Sequence, residues 1–159
     1  MHLWTLTKWK KIYTDSNVIS GLRLRCDKDV HPEVKRACKE FCDWLRSEFH
    51  FPIRVTIYLK SSKVIKAMDG ELVYGTFLGP YDKLEQPYIR VATGDFLDLQ
   101  DSWGKDDALA SYLFSIAHEL SHYYQWINDL KLTPIGMERQ ANKYQESIVY
   151  EYSAIREHP

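Results

Sequence analysis

Apolar positions recur along the chain with two different periods. From His31 to about Phe49, Val34, Cys38, Phe41, Leu45 and Phe49 return every three or four residues, the spacing of one helix face. Pro32 suits the first helical position, where its missing N–H costs nothing, and Pro52 closes the segment. The period then switches to two. Ile53, Val55, Ile57 and Leu59 alternate with Arg54, Thr56, Tyr58 and Lys60, which predicts a half-buried strand. After the Asp69-Gly70 turn, residues 72–78 and 88–92 predict two further strands, and 95–105 reads as a polar, turn-prone connection. Residues 1–30 are mixed: Trp4, Leu6, Trp9 and Ile12 are spaced as an amphipathic segment, and residues 22–25 as a short strand.

A long helix is predicted from Asp106 or Asp107, whose carboxylates suit a helix N-terminus. Its apolar stripe is Leu109, Leu113, Ile116, Leu120, Tyr124 and Ile127, and it ends near Asn128-Asp129. Thr133-Pro134 then caps a last helix reaching about Ile155, with Ala141, Ile148 and Ile155 one heptad apart. Helix, three strands, then two helices joined by a short turn is an α+β pattern. With no internal repeat and no linker rich in Gly, Ser or Pro, 1–159 reads as one domain.

Composition narrows the function classes. An apolar fraction of 45% and a charged fraction of 27% are globular values and exclude a disordered chain. A net charge of −1 gives no bulk field for nucleic acid and no polybasic membrane anchor. No apolar run approaches the roughly 20 residues of a membrane span, and the N-terminus lacks a charged-then-apolar signal layout. The expectation is a soluble, cytoplasmic protein. Cys26, Cys38 and Cys42 are an odd set, read as reduced thiols rather than a disulfide framework.

The chemistry concentrates in the long helix, which carries His118-Glu119-Leu120-Ser121-His122. Residues four apart share a helix face, so both imidazoles reach one metal ion, and Glu119 beside them can take a proton from a water. With 6 His and 10 Glu, random placement yields this pattern about 0.014 times in such a chain. A catalytic zinc takes three protein ligands and leaves a position for water. The next helix folds back and offers Glu138 as the third ligand. Asn142, four residues on, stands where it can hold a ligand imidazole by hydrogen bond, and Ala141 is small enough for close helix approach.

His-Glu-x-x-His followed by Glu138-x-x-Ala141-Asn142 on the next helix resembles the gluzincin zinc metallopeptidases. It is similar to small soluble minigluzincins and to ImmA/IrrE-type peptidases. The resemblance implies a zincin-like domain with His118, His122 and Glu138 binding Zn2+, Glu119 as general base and acid, and Asn142 behind the ligands. It further implies a peptide or protein substrate paired to an edge strand, here 88–92. Ser121 stands where many relatives carry Gly, and Asn142 where Asp is more usual. Tyr123, Tyr144, Tyr150, Tyr152 and His158 are candidates to stabilise an oxyanion. His2, His31 and His50 read as structural or exposed, with His31 helping to start a helix. The tail from Arg156 to Pro159 invites self-inhibition by a terminal segment laid over the metal. The alternative is a zinc-binding sensor or protein-interaction module without proteolytic activity.

Overall fold

The computed structural model describes residues 2–14 and 17–159. In chain order they form β1 (Leu22–Cys26), α1 (Pro32–Glu48), β2 (Val55–Lys60), β3 (Ile65–Lys66), β4 (Leu72–Val73), β5 (Gly75–Leu78), β6 (Tyr88–Ala92), α2 (Phe96–Trp103), α3 (Lys105–Ile127) and α4 (Pro134–Ser153). Two 3₁₀ turns, Leu3–Thr5 and Lys8–Lys11, precede β1. The architecture is α+β, and among the described residues no helix is long and apolar enough to cross a membrane.

The main sheet has four strands in the order β1-β2-β6-β5. The first three run parallel, and β5 runs antiparallel along one edge. Register aligns the apolar positions: Leu24 faces Ile57, Ile57 faces Ile89, and Ile89 faces Phe77. One sheet face is thus a continuous apolar layer, and α1 and α3 cover it. The short strands β3 and β4 pair as a separate antiparallel hairpin.

The sequence expectations fare differently. α1 starts as predicted, with the His31 imidazole accepting the Glu33 N–H at 3.1 Å. It buries Val34, Cys38, Phe41 and Leu45 completely, and burial pushes the Cys42 thiol up to about 12. The strand expected at 72–78 is two strands in two sheets, because the chain leaves the hairpin at Tyr74 and joins β6 at Gly75. Residues 22–26 enter the main sheet as its fourth strand. The strand 88–92 was expected at an edge; it is flanked by β2 and β5, so the free edge near α3 belongs to β5. The expected connection 95–105 contains α2. Phe96 packs into the core, and Asp95 accepts the Tyr112 hydroxyl at 2.6 Å. Gly104, at φ 86°, ends that helix and begins α3. α4 stops two residues short of Ile155, which is exposed.

Candidate metal centre

α3 is fixed on its back before its front can serve a site. The buried Trp4 donates its indole N–H to Ser121 Oγ at 3.1 Å, and that hydroxyl donates to the Ala117 carbonyl at 2.8 Å. Ser121 is therefore one anchor for the N-terminal segment, and Asn128, which accepts the Trp9 N–H at 3.1 Å, is another. Tyr123 donates its hydroxyl to the Ile53 carbonyl at 2.6 Å and accepts the Ile53 N–H at 3.3 Å. At the C-terminal end, Lys83 donates to the Trp126 carbonyl at 2.7 Å and lies 4.6 Å from that indole.

Asp129, at φ 49°, reverses the chain, and Thr133 Oγ1 caps α4 by accepting the Gly136 N–H at 3.0 Å. α4 returns antiparallel to α3. Phe114 meets Tyr150, His118 meets Gln145, and Gln125 meets Gln140. Ala141 is fully buried at this contact, as its size suggests.

The hairpin brings Glu138 back over the two histidines. Its Oε2 lies 3.1 Å from His118 Nε2, and its Oε1 lies 3.0 Å from His122 Nε2. The ligating atoms of His118, His122 and Glu138 all lie within 4.8 Å of one another. These three expected ligands are thus brought together.

The remaining ring nitrogens show how the imidazoles are held. His122 Nδ1 is 2.8 Å from Gln125 Oε1. Gln125 cannot turn its amide over, because its Nε2 donates to the Met137 carbonyl at 2.9 Å and that carbonyl can only accept. His122 therefore carries its proton on Nδ1, and burial holds its pKa below the usual range. In the neutral ring Nε2 then carries the lone pair that faces the Glu138 carboxylate. His118 Nδ1 likewise lies 2.7 Å from Gln145 Oε1. Two imidazole nitrogens and a carboxylate converging on one point could hold a metal ion, and a donor set of two nitrogens and one carboxylate is a kind that zinc accepts.

Glu119 sits beside this cluster and is nearly buried, at 7% exposure. Among the described residues its carboxylate has no hydrogen-bond partner. Burial first, and then the Glu138 carboxylate, push its pKa up to about 8. Gly75 of β5 makes room for it, since a Cβ there would lie 3.3 Å from Glu119 Oε1. The cluster opens into a groove of about 760 Å³ between β5 and α3, with Phe77, Trp126, Leu130 and Met137 along its apolar part.

Asn142 does not join the site. It is exposed on α4, and Gln145 holds His118 in its place. Sequence reasoning missed Gln125 and Gln145, although each carries a helical signal: Gln125 lies three residues after His122, and Gln145 seven after Glu138. Gly75 has no such signal. None of the four candidate tyrosines lines the groove. Nor does the tail. His158 pairs with Asp106 at 2.7 Å, and Arg156 with Glu40 at 2.6 Å. Asp106 precedes His118 by about 18 Å of helix.

No family model matches the chain, and no curated protein or solved structure matches it either.

Proposed function

We propose that this chain is a zinc-dependent peptidase of gluzincin type. The observation that carries the reading is the convergence of His118, His122 and Glu138 beside a buried Glu119 in a groove walled by an edge strand. A bound zinc ion would supply carbonyl polarisation and an acidified water.

The chain's own groups do the rest. Gln125 and Gln145 aim the imidazoles. A cation beside Glu119 would favour its ionised form, and the carboxylate, held against Gly75, then takes the proton of the attacking water and returns it to the leaving amine. β5 pairs with β6 along one side only, so its other edge offers backbone groups to an extended peptide. The apolar wall of Phe77, Trp126, Leu130 and Met137 receives a substrate side chain.

The test is metal content by mass spectrometry, on protein never exposed to chelator or nickel resin, alongside hydrolysis of fluorescently labelled casein. Wild type should hold about one zinc per chain, and His122→Ala and Glu138→Ala should lose it. Glu119→Gln should keep zinc and lose turnover. A metal-free wild type, even after zinc addition, overturns the reading; zinc without turnover in wild type reduces it to a binding module.

A further inference from the structure

The helices cover one face of the main sheet, and the other face has a different chemistry. Register sets Arg25, Tyr58 and Arg90 in one row across three adjacent strands, with Arg23 one step along β1 and Tyr88 one step along β6. Lys60 completes the outward set of β2. No carboxylate stands among the outward strand positions. Lys60 is neutralised by Asp27 at 3.1 Å.

Arg23, Arg25 and Arg90 have no carboxylate partner among the described residues. Arg23 donates only to Thr56 Oγ1, Arg90 donates to the Lys66 carbonyl, and the Arg90 Nε is buried with no partner. Arg36, Arg46 and Arg156 each hold a carboxylate; Arg54 and Arg139 hold none among the described residues, but neither belongs to a strand of this sheet. A net charge of −1 thus conceals one face where cations stand unopposed.

Two aromatic rings lie within this face. Tyr58 and Tyr88 belong to the two central strands, half-buried, with centroids 6.0 Å apart and planes at 81°. Guanidinium forks match phosphate oxygens, and rings on the central strands of a four-stranded sheet offer stacking surfaces for splayed bases. A major groove admits a helix or a two-stranded ribbon, so a four-stranded sheet face suits a single strand rather than a duplex. An acidic peptide would use the arginines but leave the paired rings without a role.

We propose that this sheet face, which β3 covers only beside Arg90, binds single-stranded nucleic acid, with Arg23, Arg25 and the free end of Arg90 on phosphates and Tyr58 and Tyr88 under bases. The patch lies on the sheet face opposite the metal centre and does not rest on the peptidase reading.

The test is fluorescence anisotropy of the full chain with end-labelled oligouridylate and oligothymidylate of about 12 nucleotides. Salt is stepped from about 50 to about 200 mM. Binding of either strand supports the proposal, and the pair separates RNA from DNA. Tyr58→Ala should weaken binding about tenfold or more, and Tyr58→Phe should restore it. Each of Arg25→Gln and Arg90→Gln should flatten the salt slope by about 0.7. Circular dichroism and zinc content serve as fold controls for the variants. Failure of both oligonucleotides to bind at the lowest salt overturns the proposal. So does equal displacement by polyglutamate with Tyr58→Ala unaffected, which would make the face an acidic-peptide site.

Discussion

The two sides of α3 answer the same demand in opposite ways. Toward α1 and the sheet, Leu113, Ile116 and Leu120 are almost fully buried, and the buried Ser121 and Tyr123 on α3 both have partners within the protein. Tyr123 is satisfied at both lone pair and proton, and Ser121 both accepts and donates. Toward β5 and α4, one residue away, Glu119 is buried with no hydrogen bond among the described residues, and the Glu138 carboxylate faces two imidazole nitrogens. A helix can be complete on one side and deliberately incomplete on the other. The closed side supplies rigidity, and the open side keeps acceptors apart at a distance that a cation would close.

The largest effect that sharpens this contrast is on turnover. Glu119→Gln should cut casein hydrolysis about 10²–10⁴-fold while leaving zinc content unchanged. The same change removes a buried carboxylate held at about 8, so its melting temperature should not fall. A variant that lost both zinc and fold would place Glu119 on the structural side of the helix and break the comparison.

Next comes stability, where the two faces should separate cleanly. Leu120→Ala opens a cavity in a fully buried position and should cost about 2–5 kcal/mol, with or without zinc. His122→Ala should cost little in metal-free protein. It should instead abolish the stabilisation that zinc gives wild type, about 2.7 kcal/mol at about a hundred times the dissociation constant. Denaturant titrations with and without zinc measure both. A zinc-independent loss in His122→Ala matching that of Leu120→Ala would erase the distinction between the faces.

Smaller again is the contribution of the residues behind the ligands. Gln125→Ala frees the His122 tautomer and should weaken zinc about 10–100-fold, read by competition with a chromophoric chelator. Asn142→Ala should leave zinc affinity unchanged, because Asn142 is exposed. The reverse result would return Asn142 to the site.

That last pair shows what was legible in the sequence and what was not. Glu138, His118 and His122 were readable because spacing alone puts them on helix faces that a short turn must oppose. Asn142 was read as sharing the face of Glu138. At 3.6 residues per turn, however, it is rotated by about 40° one way, and Gln145 by about 20° the other. Ala141, buried against α3, lies on the side of Gln145, so that side points inward and Asn142 points to solvent. The direction in which α4 leans is a packing result that no single helix encodes. The same holds for the sheet. The alternation of 53–60 and the run 88–92 identified strands, but which of them lies at an edge depends on the partner order. β1 and β5 settle that order from distant parts of the chain. α2 was hidden by its shortness and its mixed pattern, since Phe96 alone is buried while Leu97 and Trp103 are exposed, and the Asp95 before it leans on Tyr112 of α3.

The smallest predicted effect concerns the tail, which belongs to neither face of the site. Deleting 156–159 should leave zinc content and casein turnover unchanged, because Arg156 and His158 are held by Glu40 and Asp106. Its effect on stability should depend on pH. The hydrogen bond to Asp106, with lesser help from Glu157 and against Lys105, raises the His158 pKa above its ordinary value. A raised folded-state pKa stabilises fully below the unfolded value, near 6.5. That contribution is lost as pH rises through the folded value. Arg156 holds the Glu40 carboxyl below its usual range, so that anchor stays ionised throughout the same window. The melting-temperature difference between wild type and the truncated chain should therefore be slightly larger at pH 6 than at pH 8, without vanishing at either. A rise in turnover on truncation would mean that the tail reaches the groove, and the placement of His158 on Asp106 would be wrong.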